Sequence, residues 1–148
     1  RGLGDVYKRQ TIDSFLNKYS NPISIADDEA LEIVANYIDD HYATLISQKT
    51  LEKISTMSGT KLKKLFKQKY QCTITEYTQR RRMNMAEILL LNSSLKIQDI
   101  AEAVGYSSHS KFSTCFKKYK GMYPKDIRKY NSKKTSISDC VCVKKDTI

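Results

Sequence analysis

No stretch of the chain approaches the roughly 18 consecutive apolar residues that a membrane-spanning helix needs, and no signal-peptide apolar core opens it. The chain is therefore not expected to span a membrane, no membrane partner is expected, and the expected location is the cytoplasm, in association with the nucleoid. Cysteine is scarce as well. Cys72, Cys115, Cys140 and Cys142 form neither Cys-x-x-Cys pairs nor a Cys/His framework, so they read as free thiols, with no metal and no cofactor. Acid is the third shortage: 16 Asp and Glu face 26 Lys and Arg, a formal net charge of +10 over 148 residues, with pI about 9.4. Such a surface attracts polyanions over a Debye length, which makes nucleic acid the first partner to consider.

What the chain does contain is a repeat. The stretch from Ile97 to Arg128, IQDIAEAVGYSSHSKFSTCFKKYKGMYPKDIR, has a degenerate copy fifty positions earlier, aligned on Phe66-Lys67 and Phe116-Lys117. Each copy offers a short apolar-periodic helix, a tight turn and a second helix crowded with Lys and small polar residues. That is the pattern of a helix-turn-helix whose second helix enters a DNA groove. Two copies point to two adjacent grooves read by one polypeptide.

Periodicity and punctuation predict an all-α, seven-helix domain over residues 27–130. A first helix starts at Asp27-Asp28 and buries Leu31, Val34, Ala35, Ile38 and Tyr42. A second runs from about Ser47 to Thr56, followed by a Met57-Ser58-Gly59 turn and a third with Leu62, Leu65 and Phe66 inward. Thr73 and Glu76 form a capping box for a long linker helix from Ile74 to about Leu91, with Tyr77, Met83, Ala86, Leu89 and Leu90 as its stripe. At about 1.5 Å per residue it spans roughly 27 Å, suited to hold two recognition helices about one DNA turn apart. Helices at Ile97–Val104 and Ser108–Lys120 follow, with Gly105 and Gly121 as stops, and Pro124 opens a short last helix ending near Tyr130. Residue 1 is Arg rather than Met, so the chain reads as a fragment or processed product, with an effector domain missing. Residues 1–26 read as a linker or non-native leader, whose first ten, RGLGDVYKRQ, resemble adaptor-derived sequence. Residues 131–148 read as a basic flexible tail, too polar to add to the core.

Five ordered strings carry a family resemblance. They are Ser58-x-x-x-Leu62-x-x-x-Phe66-Lys67; Tyr77 with Arg82-Met83-x-x-Ala86-x-x-Leu89-Leu90; Ile97-x-x-Ile100-Ala101-x-x-x-Gly105-Tyr106-Ser107; Phe112-x-x-x-Phe116-Lys117-Lys118; and Gly121-x-x-Pro124-x-x-x-Arg128. Over about 100 residues the chain resembles the DNA-binding domain of the AraC/XylS family of bacterial transcription regulators, two homeodomain-like helix-turn-helix units. The resemblance implies an activator that binds double-stranded DNA as a monomeric domain and recruits RNA polymerase. It places the base-reading positions on Thr60, Lys63 and Lys64 of the first unit and on His109, Ser110, Lys111 and Thr114 of the second. Lys suits guanine O6/N7, hydroxyls suit several base edges, and the Thr methyl suits thymine. Ser58, Lys61, Lys67, Arg81, Ser108, Lys117 and Lys118 are the expected phosphate contacts, and Arg82 is expected inside, paired with an acid.

Departures are as informative as matches. Glu52 stands for a usual small Ala and Thr56 for a turn Gly in the first copy, so that turn is expected to be strained or differently shaped. Thr114 occupies a position often held by Arg, which shifts the second unit away from charge, and Ile127 replaces an aromatic and reads as core. Two rival functions remain open. One is the regulatory domain of a DNA-repair alkyl-acceptor protein, which calls for a Cys-rich segment ahead of the helices, yet residues 1–71 hold no Cys. The other is a basic protein-interaction module. Salt separates that module from a DNA binder: with about 6 to 10 phosphates neutralised, DNA affinity should fall roughly 10³- to 10⁵-fold between about 50 and 200 mM salt, and a flat response in filter binding would remove the electrostatic basis.

Overall fold

A computed structural model of the protein describes residues 22–145, and side chains as far as Lys134. Seven helices are present among the described residues: α1 Ile25–His41, α2 Gln48–Ser55, α3 Gly59–Tyr70, α4 Ile74–Asn92, α5 Ile97–Ala103, α6 His109–Lys120 and α7 Pro124–Lys145. None is long and apolar enough to cross a membrane. They divide into two units, one holding the described residues up to Tyr37 with Ser47–Ile74, the other Ile38–Ile46 with Thr75 onward.

In the first unit the apolar positions fall where the 3.6-residue period puts them. Leu31, Val34 and Ala35 of α1, Leu51 of α2, and Leu62 and Phe66 of α3 are buried, with Met57 and Cys72 from the turns. α1 starts two residues before the expected acids, because the Ser24 hydroxyl accepts from the Asp27 amide at 3.2 Å and acts as the cap. Asp27 and Asp28 therefore occupy the first turn, where the helix dipole favours them. Gly59, expected in the turn, is instead the first residue of α3. Its missing side chain has a use: a Cβ there would lie 2.4 Å from both Gln48 Nε2 and Glu52 Oε1, the termini of a hydrogen-bonded pair. Glu52, the outsize replacement for Ala, fits because Gly59 leaves that space.

The second unit has one continuous core. Met83, Ala86 and Leu90 from α4, Ile100, Ala101 and Val104 from α5 and its cap, and Phe112 and Phe116 from α6 pack together, with Tyr42, Met85, Leu89 and Ile127 at the margin. Tyr42 lies just beyond the end of α1 rather than on its face. The long helix α4 is thus no bare rod: its apolar stripe is a wall of the second core. A proline at Met85, which packs on that core, would test the core rather than any spacer role.

Two further expectations need correction. Among the described residues Arg82 meets no acid; its Nε donates to Tyr42 O at 2.6 Å, Nη2 to Thr44 O at 3.1 Å and Nη1 to Gly105 O at 3.5 Å. Its neighbour takes the acid instead, with Arg81 Nε 3.5 Å from Asp39 Oδ1. The last helix does not stop near Tyr130 but continues to Lys145, so the expected start of the tail at residue 131 is not marked by a helix end. Between Lys125 and Lys145 there is neither Gly nor Pro, so nothing in the chain breaks the i to i−4 ladder. Residues 1–21, covering most of the expected leader, and 146–148 lie outside the described residues.

The turns differ in cost. Thr56 takes the left-handed conformation (φ 54) at the position where the second copy has Gly105 (φ 95). For a β-branched residue that conformation costs about 1–2 kcal/mol. Thr56→Gly should therefore stabilise the first unit, by up to about 1 kcal/mol. Gly105 is doubly constrained, because a Cβ would sit 2.6 Å from the backbone oxygen of Ala43, whereas Gly121 (φ 79) has open space around it. Gly121→Ala should cost about 1 kcal/mol and Gly105→Ala several times that. Urea denaturation of the three variants checks the order, and equal losses at Gly105 and Gly121 would contradict the close approach to Ala43.

Proton linkage adds a second test. Burial works to lower the Lys69 pKa, but hydrogen bonds to Asp28 and Glu32 outweigh it and hold the pKa above the ordinary lysine value. Burial, with a hydrogen bond to Cys115, also pushes the Tyr106 phenol well up. Both groups hold their protons more tightly folded than unfolded. Their stabilisation is therefore complete below about pH 10, near the unfolded values, and is lost as pH rises through the folded ones. Urea midpoints should be level from about pH 8 to 9.5 and drop above about pH 10, with a shallower drop in Tyr106→Phe. An identical alkaline profile for wild type and Tyr106→Phe would rule out the phenol's share.

Candidate nucleic-acid interface

The two recognition helices are built to one plan. α3 and α6 are each 12 residues long, each preceded by an extended Ser whose hydroxyl accepts from the amide three residues on, Ser58 from Lys61 and Ser108 from Lys111, both at 3.4 Å. Each ends on a left-handed residue, Gln71 or Gly121, whose N–H donates to the carbonyl of Lys67 or Lys117. Caps at both ends satisfy backbone groups a 12-residue helix would otherwise leave open, and they fix where its side chains point. Buried Leu62 and Phe66, and in the same register Phe112 and Phe116, anchor the inner faces. The preceding helices also correspond, and the second copy spends one extra residue in its turn, Gly105-Tyr106-Ser107-Ser108 against Thr56-Met57-Ser58.

That extra residue brings in Tyr106. Its ring meets Phe112 edge-on at 5.8 Å, the Arg82 guanidinium lies 5.5 Å from its centroid, and its hydroxyl donates to Cys115 Sγ at 3.2 Å. The back of α6 is thereby fastened to the core, leaving its front exposed.

Every residue assigned to base reading is exposed: Thr60, Lys63 and Lys64 on α3, and His109, Ser110, Lys111 and Thr114 on α6. On α3, Thr60 and Lys64 lie opposite Leu62 and Phe66 with Lys63 at the flank; on α6, Ser110, Lys111 and Thr114 lie opposite Phe112 and Phe116, while His109 stands at the exposed helix start in line with Phe116. Thr114 Oγ1 donates to Ser110 O at 2.9 Å, so its methyl and its lone pairs are what it offers outward. Of the expected phosphate contacts, Lys67, Lys117 and Lys118 are exposed. Lys117 Nζ sits 4.5 Å over the Tyr123 ring and Lys118 Nζ 5.6 Å from that of Tyr119. Lys61 is exposed too, but its ammonium is 3.2 Å from Asp27 Oδ2. The hydroxyls of Ser58 and Ser108 accept one amide each, which leaves their O–H free to donate. Arg81 stands apart: it is half-buried on α4, engaged by Asp39, which also accepts from the Tyr77 hydroxyl at 3.3 Å. A phosphate role for Arg81 has no support in this geometry.

Sequence patterning does not reveal a groove in the second unit. A groove of about 430 Å³ runs along α6, with His109, Ser110, Ser113 and Thr114 on one wall and Tyr123 to Asp126, the start of α7, on the other, above Ile97. The repeat did carry a signal for Ser113, which stands fifty positions after Lys63.

Two capped helix-turn-helix pairs with exposed polar and cationic recognition faces define a double helix-turn-helix DNA-binding domain. Residues 51–130 match the family model described as a helix-turn-helix domain, of AraC type, and the chain belongs to the AraC family of transcription regulators. It is 31% identical over 98 residues to the transcriptional activator RhaS of Escherichia coli, covering 66% of this chain and 35% of that one. It is 30% identical over 102 residues to the bifunctional transcriptional activator/DNA repair enzyme AdaA of Bacillus subtilis, 69% of this chain and 48% of that one. Among solved structures, the C-terminal domain of the two-component response regulator yesN from Fusobacterium nucleatum superposes with a TM-score of 0.62 at 32% identity, over 68% of this chain and 98% of that one. The chain thus spans between a third and a half of the length of these curated relatives.

Proposed function

We propose that this chain is the operator-binding part of a transcription activator and that α3 and α6 read two adjacent major grooves of one asymmetric site, the domain binding as a monomer. The observation that carries the reading is the duplicated capped helix, whose two outer faces are polar while the same helices bury Leu62, Phe66, Phe112 and Phe116. The faces are not equivalent. α3 presents Thr60, Lys63 and Lys64, donors suited to guanine edges, whereas α6 presents His109, Ser110 and Thr114 beside Lys111. The first half-site is accordingly expected to be G-rich at its centre, and the second to depend on a thymine methyl and neutral hydrogen bonds.

Contact with RNA polymerase follows from the activator reading and has no separate geometric basis. Alkyl transfer, the rival that the sequence leaves open, needs an accessible thiolate. Cys72 is buried and Cys115 accepts from Tyr106 against the core, so neither of these two thiols is placed for it. The function proposed for the described helices is DNA binding without catalysis.

Base reading and backbone positioning separate in a mutant series. Lys64→Ala should cost about 1–3 kcal/mol on the preferred site and relax preference at one position of one half-site, while Lys117→Ala should weaken all sequences about equally. Selection from a random pool followed by sequencing gives both profiles. A changed base preference for Lys117→Ala with none for Lys64→Ala would mean that the register of both helices is wrong.

A further inference from the structure

The groove between α6 and α7 is not accounted for by the recognition helices alone. Its wall on the α7 side carries one cation, Lys125, and one acid, Asp126, both exposed, next to the half-exposed Tyr123. Tyr123 is already covered on one ring face by the Lys117 ammonium at 4.5 Å. One cation thus covers the ring while a second, Lys125, lines the same groove, which His109, Ser110 and Thr114 also line. The floor is apolar, formed by Ile97 and the buried Pro124. The helix end is not the attraction, because the amides of Asp126 and Ile127 already donate to Tyr123 O at 3.0 and 3.2 Å.

An extended partner with alternating apolar and anionic parts fits such a surface, and a sugar–phosphate strand is one. We infer that the first turn of α7 belongs to the DNA interface: Lys125 holds a phosphate of the strand bordering the major groove that α6 enters, the adjoining deoxyribose lies against Tyr123 and Ile97, and the Asp126 carboxylate repels the next phosphate. This rests on the reading that α6 enters a major groove. The pair of opposite charges does what a second lysine could not. A cation alone attracts the strand in any register, whereas a cation followed by an acid admits the phosphate at one place, and so fixes where His109, Ser110 and Thr114 fall on the base edges. Lys125 and Asp126 are thus positioning residues for the second half-site.

The test compares the whole chain with Lys125→Ala, Lys125→Gln, Lys125→Arg, Lys129→Ala and Asp126→Asn on two probes, a duplex recovered by selection with the wild-type protein and a scrambled duplex. One lost phosphate contact lowers the magnitude of the slope of log affinity against log salt by about 0.9, which is about eightfold at 0.1 M salt relative to 1 M. Both Lys125→Ala and Lys125→Gln should show that loss on both duplexes, Lys125→Arg should restore the wild-type slope, and Lys129→Ala, an exposed lysine one turn along α7, should keep it. Asp126→Asn should bind both duplexes more tightly while its preference for the selected one narrows. Failure of the wild type to enrich any duplex would overturn the DNA-binding reading itself. Enrichment by the wild type with unchanged slopes for Lys125→Ala and Lys125→Gln, or with an equal loss for Lys129→Ala, would overturn this inference and leave the reading standing.

Discussion

One guanidinium ties three separate segments of the second unit to one another. The Arg82 side chain leaves the inner side of α4 and donates to three backbone carbonyls, two from the segment after α1 and one from Gly105 in the recognition turn. Only the Tyr42 carbonyl is partly buried; Thr44 and Gly105 are exposed, so the bonds to them, from a charged donor, fix geometry more than they rescue buried groups. Gathering the three carbonyls at one cation makes the turn, the end of α1 and α4 a single arrangement. The close approach it creates is what excludes a side chain at Gly105, where a Cβ would meet Ala43 O at 2.6 Å. Lysine would not substitute, since its single ammonium lacks the planar fork that spans three acceptors. Arg128 repeats the device at the other side, donating from α7 to Leu95 O at 2.6 Å and Ser93 O at 3.4 Å in the segment between α4 and α5.

The first unit solves the same problem without such a cation. Its turn is held by Ser55, buried at the place of Val104, whose hydroxyl donates to Glu52 O and accepts from the Met57 amide, each at 3.3 Å. Its first and third helices are fastened by ion pairs, Lys61 to Asp27, and Lys69 to Asp28 at 2.9 Å and Glu32 at 3.3 Å. A shared pattern of apolar residues therefore covers two different local chemistries, one based on a buried aromatic cluster and an Arg, the other on a serine, a strained Thr56 and partly exposed charge. Partly exposed pairs contribute little each, on the order of 0–1 kcal/mol.

Element positions were largely legible in the sequence because they depend on local rules. Serine caps, glycine stops and a 3.6-residue stripe act within one or two turns, so α3 and α6 could be placed to a residue or two. Long-range partners were not legible. Three consecutive arginines, Arg80 to Arg82, differ in role only because helical rotation turns one toward carbonyls and another toward Asp39, and no local pattern names those acceptors. The end of α7 is not legible for the opposite reason: polarity alone is no stop, because a helix ends where its backbone is broken or capped, and 131–145 supplies no breaker. Outward faces of the recognition helices were legible as the complement of the apolar stripe. The groove beside α6 was not, since it is made by the meeting of α6 with α7 and α5.

Charge counting shows how structure revises composition. A net charge of +10 suggests that most lysines of the recognition helices face phosphate. Part of that charge is instead spent inside the protein: Lys61 and Lys69 engage acids of α1, and Lys120 lies 2.6 Å from Glu87 and 2.7 Å from Asn84 on α4. An ammonium held by a carboxylate must give up that partner before it can neutralise a phosphate, and the exchange releases little net energy because one ion pair replaces another. Lys63, Lys64 and Lys67 on α3, and Lys111 and Lys117 on α6, hold no acid among the ion pairs described, and they lie beside the exposed hydroxyls of Thr60, Ser110 and Thr114. On α3 and α6 the cations without an acid partner therefore share a face with hydroxyls, so that attraction and hydrogen bonding act from the same side of each helix.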